Sequence, residues 1–220
     1  MPQVKICGIS ETEQALAAAE AGADYLGLVF AQSSRQISPQ KAARIVFEVR
    51  KLARPPQIVG VFVHSPANDV NFITEFCKLD MVQLSGDENW EYCLSIKKPI
   101  IKAIHVFNSA TSAQIVDEIK RGYSYLSKEN LRFLLDSKVK GTYGGTGQAF
   151  DWKIAREVSL KYPVLVAGGL DPNNVGQMVR EIKPWGVDVS SGVETGGKKD
   201  TEKIKLFVQR AKHLLHDSEG

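Results

Sequence analysis

Two side chains of this sequence could move protons on a bound molecule. Cys7 ends a short apolar segment that begins at Val4, and Asp136 ends another that begins at Leu131. Most cysteines in such positions are buried and inert, and most aspartates cap helices or form surface ion pairs. A thiol and a carboxyl group that end strands at one edge of a sheet can instead act as a general base and a general acid. The pair therefore predicts proton transfer around a sugar carbon.

A charged pair is predicted beneath the thiol. Lys5 lies two positions before Cys7, so both side chains point to the same side of their strand. In the last apolar segment Asp188 lies between Val187 and Val189, which predicts that it also points inward and pairs with Lys5. The Lys5 cation should lower the thiol pKa from its free value of about 8.5, and the Asp188 carboxylate should offset part of that effect.

Two turns late in the sequence could bind a phosphate group. Gly168-Gly169 follows one apolar segment, and Ser190-Ser191-Gly192 follows the next. Backbone N–H groups in such turns bind phosphate in barrel enzymes. Each run alone is equally well explained by a tight turn. Because both occur where a barrel would bring them together, the sequence favours a phosphorylated small molecule as ligand.

Other polar residues follow the apolar segments at the same predicted edge. Arg35 lies in a short polar loop, where arginine is usually solvated, but its guanidinium could bind a carboxylate through two parallel hydrogen bonds. Gln83 in the fourth segment is a further candidate for substrate binding. The run from Ser137 to Phe150 contains Gly144-Gly145-Thr146-Gly147 and predicts a lid, with an ordinary floppy loop as the alternative. The four histidines show no convergent spacing and receive no role: His64, His105, His213 and His216.

The elements that must position these groups repeat along the chain. Eight short apolar runs are strand candidates, and their continuous Val, Ile and Leu content indicates a parallel sheet buried on both faces. Amphipathic stretches between them predict helices; the first should be capped by Ser10 with Glu13 and end before Gly22. At roughly 28 residues per unit, the pattern predicts a single-domain (β/α)8 barrel over residues 1–220, with a doubly wound open sheet as the alternative. The strand candidates are Val4 to Cys7, Tyr25 to Phe30, Ile58 to Val63, Met81 to Leu84, Pro99 to Ile104, Leu131 to Leu135, Val164 to Ala167 and Val187 to Val189.

The composition indicates what kind of partner and which cellular compartment to expect. The 220 residues are 43% hydrophobic, enough for a large core, and 28 basic against 25 acidic residues leave a net charge of +3. This small surplus argues against a nucleic-acid or anionic-membrane surface. No apolar run is long enough for a bilayer, and three cysteines without metal-like spacing fit a reducing compartment. We expect a cytoplasmic protein, monomeric or homodimeric, that binds a small molecule.

Several motifs, in order from Lys5 to the last helix, resemble the phosphoribosylanthranilate isomerase family. The opening Lys-Ile-Cys-Gly and the closing Asp-Val-Ser-Ser-Gly-Val-Glu are the most specific, whereas the others are shared loosely with other phosphate-binding barrels. The motifs are Lys5-Ile6-Cys7-Gly8-Ile9, Ser34-Arg35 with Ile37-Ser38-Pro39, Gly60-Val61-Phe62-Val63, Gln83-Leu84, Leu134-Leu135-Asp136, Gly144-Gly145-Thr146-Gly147 with Phe150-Asp151-Trp152, Ala167-Gly168-Gly169-Leu170 and Val187-Asp188-Val189-Ser190-Ser191-Gly192-Val193-Glu194.

The resemblance implies an Amadori rearrangement in tryptophan biosynthesis, without a metal or redox cofactor. It assigns protonation of the furanose oxygen to Asp136 and removal of the C2 proton to Cys7, with Arg35 on the anthranilate carboxylate. It also places the phosphate on backbone groups of Gly169, Ser191 and Gly192. Two departures stand out: Ser85 occupies a position where the family commonly has His, and the polar stretch from Arg121 to Asn130 reads as a surface insertion.

Two other functions fit parts of the pattern. Another phosphosugar isomerase or epimerase would use the same fold, although such epimerases need metal-ligating His and Asp at strand ends, which the sequence does not offer. A barrel that only binds a phosphorylated metabolite would keep the glycine turns but would not need both Cys7 and Asp136.

Overall fold

Eight parallel strands form a closed barrel in the computed structural model, which describes residues 1–107, 110–137 and 152–212. Each strand pairs with the next in sequence, and β1 pairs with β8. This closure confirms the (β/α)8 prediction and rules out an open sheet. The strands are β1 Gln3–Cys7, β2 Tyr25–Val29, β3 Gln57–Phe62, β4 Met81–Leu84, β5 Ile100–Val106, β6 Leu131–Ser137, β7 Val164–Ala167 and β8 Gly186–Val189.

Helices follow the strands and cover the outside of the barrel. Those in the described part of the chain are α1 Thr12–Glu20, α2 Pro39–Val49, α3 Ala67–Phe76, α4 Trp90–Leu94, α5 Ser112–Tyr125, α6 Trp152–Ser159, α7 Val175–Ile182 and α8 Thr201–Lys212. A 3-10 helix, Ser191–Val193, comes directly after β8, and a small hairpin of β9 (Glu194–Thr195) and β10 (Lys198–Lys199) follows it. Within these ranges, no helix is both long enough and apolar enough to cross a bilayer.

Side-chain alternation divides each strand between two cores. Outward residues such as Val4, Ile6 and Phe133 pack under the helices. Inward residues such as Ile101 and Leu134 fill the lower part of the barrel with apolar side chains. The same alternation leaves the inward positions at the carboxyl ends of the strands for the polar groups of the site.

Two helix starts show how the first turn is capped. Ser38 caps α2, because its side chain accepts a hydrogen bond from the Lys41 N–H. The prediction of Ser10 and Glu13 as the capping box of α1 is wrong. Glu11 is the N-cap residue, and Gln14 accepts from its backbone N–H at 3.2 Å.

The stretch from Arg121 to Asn130, predicted to be a surface insertion, begins as the last turn of a helix. Helix α5 continues to Tyr125, and Tyr123 packs edge-on against Phe133 of β6, with ring centroids 5.4 Å apart. Gly122 and Tyr123 therefore pack against the outer core, whereas Arg121, Ser124 and Tyr125 are exposed.

Candidate active site

A cavity of about 510 Å³ opens at the carboxyl ends of the strands. In a (β/α)8 barrel this is the end where catalytic groups are found. The lining residues end or follow six of the eight strands: Val29, Ala31, Gln32, Ser33, Arg35, Val61, Val63, His64, Ser85, His105, Asp136 and Ser190. Two residues with predicted roles, Arg35 and Asp136, are thus brought to one cavity.

Asp136 lies on the cavity wall at the end of β6. Its inward direction follows from alternation, since Leu134 two residues earlier belongs to the barrel interior. The side chain is 27% exposed, and its Oδ2 atom lies 3.9 Å from Nδ1 of His105 in β5. A carboxyl group in this position can exchange a proton with a bound ligand while one side faces an imidazole.

Cys7 lies at the floor of the same end of the barrel. It packs with Val29 and Val61, both of which line the cavity, and 8% of the residue is exposed. The next residue, Gly8, has φ +81°, and a Cβ atom there would come within 2.6 Å of the Arg35 side chain. The chain thus turns sharply after the thiol and lets Arg35 pass close above it.

The buried ion pair predicted from strand alternation is confirmed. Lys5 and Asp188 are register partners in β1 and β8, and Lys5 Nζ lies 2.8 Å from Asp188 Oδ1. Lys5 is fully buried. Burial disfavours its charge, but Asp188 and Cys7 outweigh this effect and raise the pKa of Lys5.

The prediction of a lowered pKa for the Cys7 thiol is wrong. Burial raises its pKa above the usual range, and the nearby cations Lys5 and Lys199 offset only part of that effect, while Asp188 adds to it. The sequence argument counted charges and left out the depth of the sulfur. In the protein without substrate, Cys7 is therefore mostly a thiol at neutral pH.

Replacement of Lys5 by methionine tests the ion pair. We expect the thiol pKa of Cys7 to rise further, because a cation is lost and Asp188 is left without its partner. Leaving one buried charge unpaired should also lower the free energy of unfolding by about 3–5 kcal/mol. Thiolate absorbance, with the Cys7→Ala signal subtracted, and denaturant unfolding measure the two effects.

A double variant, Lys5→Met with Asp188→Leu, is the matched control. It removes both charges and should recover most of the lost stability. An unchanged thiol pKa in Lys5→Met would remove Lys5 from the electrostatics of the site.

Arg35 is held by a carboxylate that the sequence reasoning did not assign. Its Nε and Nη2 atoms donate to the two carboxylate oxygens of Glu194, at 2.7 and 2.9 Å. Lys199 Nζ lies 2.5 Å from Glu194 Oε1 and donates to the Ser190 carbonyl at 2.9 Å. Burial disfavours ionisation of Glu194, but its hydrogen bonds from both cations outweigh it and lower the pKa of this carboxyl. The result is a charged cluster beside the cavity.

A signal for this cluster is present in the sequence. Gly196 and Gly197 both have positive φ, and they join the two short strands of the hairpin. A Gly-Gly pair between such segments predicts a tight hairpin, and its register places Lys199 opposite Glu194.

The turns after β7 and β8 lie in direct contact. Gly168 and Gly169 have positive φ, and a Cβ atom at Gly192 would overlap the carbonyl group of Leu170. Gly192 belongs to the 3-10 helix after β8, and the N-terminus of such an extra helix is a common phosphate site in barrels. Gly169, Ser191 and Gly192 are therefore close to one another, although the residue of this region that lines the cavity described above is Ser190.

Gln83 contacts a residue that lines the cavity. Its side chain is nearly buried, and its amide nitrogen donates to the Ser85 hydroxyl at 3.0 Å. Ser85 lines the cavity. Within the described residues, the Oε1 atom of Gln83 has no hydrogen-bond partner.

Some predicted features lie outside the described residues. They are the lid motif Gly144-Gly145-Thr146-Gly147 and the histidines His213 and His216.

Comparison with known proteins supports a single family. The sequence model described as N-(5'phosphoribosyl)anthranilate (PRA) isomerase matches residues 4–210. An N-(5'-phosphoribosyl)anthranilate isomerase of Dehalococcoides mccartyi is 50% identical over 212 residues, 96% of each chain. The crystal structure of phosphoribosyl anthranilate isomerase from Thermotoga maritima is 38% identical with a TM-score of 0.82, covering 97% of this chain and 100% of its own. Another phosphoribosyl anthranilate isomerase structure, in complex with reduced 1-(o-carboxyphenylamino)-1-deoxyribulose 5-phosphate, is 35% identical with a TM-score of 0.78, covering 97% of this chain and 100% of its own.

Proposed function

The chain belongs to the N-(5'phosphoribosyl)anthranilate isomerase family, and on this premise we propose that Asp136 is the general acid of the reaction and Cys7 the general base. The reaction converts N-(5-phospho-β-D-ribosyl)anthranilate to 1-(2-carboxyphenylamino)-1-deoxy-D-ribulose 5-phosphate in tryptophan biosynthesis. The observation that carries the two roles is their shared place: Asp136 lines the cavity, and Cys7 packs on two valines that also line it.

Ring opening is the step assigned to Asp136. Its carboxyl group protonates the furanose oxygen, and the bond from that oxygen to C1 breaks with the electron pair going to oxygen. The anilino nitrogen forms the iminium double bond with its lone pair. Because Asp136 is partly buried, few water molecules compete with the furanose oxygen for its proton.

Proton removal from C2 follows at Cys7. The thiol of the free protein is mostly protonated, since burial raises its pKa. The iminium cation formed by ring opening adds positive charge close to the sulfur, so the thiol loses its proton to solvent and the thiolate takes the proton from C2. The iminium nitrogen accepts the electron pair from C2, so this scheme needs no metal or redox cofactor. The resulting enolamine then tautomerises to the ketone.

Arg35 and the turns after β7 and β8 hold the two ends of the substrate in this proposal. Glu194 occupies the Nε and Nη2 edge of the Arg35 guanidinium, so the anthranilate carboxylate would bind on the Nη1 side. Backbone groups of Gly169, Ser191 and Gly192 would bind the phosphate, and Gln83 would contact the substrate beside Ser85. A substrate held at both ends places its sugar over the floor of the cavity.

Turnover of phosphoribosylanthranilate is the direct test of the function. The purified protein should abolish anthranilate fluorescence as product forms. The same assay with a phosphosugar that lacks the aromatic acid should show no turnover, which separates this function from a general phosphosugar isomerase. Binding of phosphoribosylanthranilate without turnover would instead support a non-catalytic barrel.

Substitution of Arg35 by lysine should weaken substrate binding more than catalysis. Lysine keeps the charge but loses the planar fork, and one hydrogen bond to a charged group contributes about 1.5–3 kcal/mol. We expect KM to rise about tenfold or more, with a much smaller change in kcat. Steady-state kinetics with the fluorescence assay measure both constants.

Arg50 supplies the matched control for that substitution. It also pairs with a carboxylate, Asp80, at 2.6 Å, but it lies at the opposite end of the barrel. Arg50→Lys should leave KM unchanged. An unchanged KM in Arg35→Lys would contradict the role of Arg35.

We also propose that residues 1–220 form one domain and that the protein is a monomer or homodimer of the cytoplasm. The three free cysteines, all buried, are consistent with a reducing compartment. The partner of the protein is its phosphorylated substrate. Analytical ultracentrifugation measures whether the protein is a monomer or a homodimer.

A further inference from the structure

A histidine faces the carboxyl group of Asp136 at the rim of the barrel. His105 and Asp136 are register partners in β5 and β6, and His105 Nδ1 lies 3.9 Å from Asp136 Oδ2. Their side chains are 11% and 27% exposed. At this distance and burial the two groups influence each other more strongly than an exposed pair would. Hydrogen bonds of catalytic groups are often long before substrate binds and shorten in the complex.

The second ring nitrogen determines the tautomer of His105. Its Nε2 atom lies 2.9 Å from the backbone carbonyl oxygen of Ser85. A carbonyl oxygen only accepts hydrogen bonds, so Nε2 carries a proton and donates it. In the neutral ring Nδ1 is then an acceptor, and it points to Asp136. A proton between Nδ1 and Oδ2 therefore comes either from the carboxyl group or from a second protonation of the ring.

We propose that His105 is the positioning residue of Asp136: the pair shares one proton between Nδ1 and Oδ2, and Oδ2 passes that proton to the substrate. This inference rests on the proposed acid role of Asp136. In each turnover one proton leaves Asp136 for the furanose oxygen. The pair regains a proton from the C2 hydroxyl group as the ketone forms, while C1 takes up the proton that Cys7 removed from C2.

The pair keeps a proton available to Asp136 close to neutral pH. An isolated aspartic acid with an ordinary pKa of about 3.9 is protonated in about one molecule in a thousand at pH 7. A carboxyl and imidazole pair keeps one proton up to the imidazole range near pH 6.5, and that proton belongs to the pair rather than to one residue. The imidazole is the more basic of the two groups and holds that proton between turnovers, and the proton moves to Oδ2 as the furanose oxygen accepts it.

Other charged groups surround His105, and most of them are themselves paired. Lys102 on the same strand pairs with Glu88 at 2.9 Å. The remaining titratable groups of the described chain that line the two cavities beside His105 are Arg35 and His64 across the active-site cavity, and Asp87, Glu91, Glu118 and Arg121 in the groove behind it. Of these neighbours, Asp136 is the carboxylate at ion-pair distance from Nδ1.

Substitution of His105 by glutamine is the kinetic test. A glutamine amide can still donate to the Ser85 carbonyl, but it has no group that binds a proton at the Nδ1 position. We expect kcat/KM at pH 7 to fall about tenfold, mainly through kcat. The wild-type pH profile should contain an inflection in the histidine range that His105→Gln lacks. Wild-type activity with an unchanged pH profile in His105→Gln would overturn the proposal.

A double-mutant cycle separates positioning from a merely structural role. If His105 acts through Asp136, the glutamine substitution should change kcat/KM little when Asp136 is already asparagine. An equal loss in both backgrounds would show that His105 acts elsewhere and would overturn the proposal. Thermal unfolding of each variant reports whether it is folded.

Nitrogen-15 NMR of the imidazole rings tests the shared proton without turnover. The His105 signals, identified by their absence in His105→Gln, should show the Nε2–H tautomer, and their titration midpoint should fall in Asp136→Asn. An identical midpoint in both proteins would refute the pair. Because this readout needs no catalysis, it distinguishes failure of the pair from failure of the proposed function, which the wild-type fluorescence assay reports.

Discussion

Replacement of Cys7 by alanine should lower kcat/KM for phosphoribosylanthranilate by at least about 10²-fold, the lower end for loss of a general base. In the proposed scheme the Cys7 thiol removes the C2 proton, and it packs on two valines that line the cavity. Alanine removes the base while keeping the backbone before the sharp turn at Gly8. Anthranilate fluorescence under steady-state conditions measures the loss.

Cys93→Ala is the matched control, because it removes a buried thiol that lies away from the cavity. Cys93 is fully buried in α4, and its substitution should leave kcat/KM unchanged. Below the pH range in which the Asp136 and His105 pair loses its proton, the activity of the wild-type enzyme should rise with pH, because the pKa of the Cys7 thiol is raised and the base must be deprotonated to act. Full activity of Cys7→Ala would defeat the assignment of the base.

Replacement of Asp136 by asparagine should likewise lower kcat/KM by at least about 10²-fold. The amide has nearly the same shape but cannot donate the proton that opens the furanose ring, so the reaction stops before C2 becomes acidic. KM should change little, since the substrate is held by groups at its two ends. The fluorescence assay across a range of substrate concentrations separates kcat from KM.

Asp117→Asn controls for the same chemical change on the surface. Asp117 is 75% exposed on α5 and pairs loosely with Lys120 at 3.4 Å. Its substitution should leave the kinetics unchanged. If Asp136→Asn turned over at the wild-type rate, another group would have to be the acid.

The ends of the strands were predictable where an apolar run stops abruptly. The end of the fifth strand was predicted too early, and the error concealed the position of a histidine beside Asp136. The sequence prediction ended the fifth strand at Ile104, whereas β5 continues to Val106. His105 therefore lay just beyond the predicted strand and received no role. In the structure it takes the inward position after Ile101 and Ala103, beside Asp136. Alternation along a correctly extended strand would have found it.

Pairing across the barrel was predictable only where closure and alternation together define the neighbours. Both rules apply to Lys5 and Asp188, and their contact follows. Neither applies to Arg35 and Glu194, which are 159 residues apart and lie outside the barrel strands, Arg35 in a loop and Glu194 in β9. Loop residues have no fixed period, so their partners depend on how the chain folds.

The order of apolar segments, turn residues and polar strand ends in this sequence was sufficient to determine a (β/α)8 barrel and the end at which its polar-lined cavity opens, because both follow from local periodicity and chain closure. The tertiary structure alone decided how deeply each of these groups is buried and which partners it meets. Depth reverses the expected pKa shift of Cys7, and contact places His105 against Asp136 and Glu194 against Arg35. Desolvation and hydrogen bonding depend on all the atoms that surround a group, and most of those atoms come from distant parts of the chain.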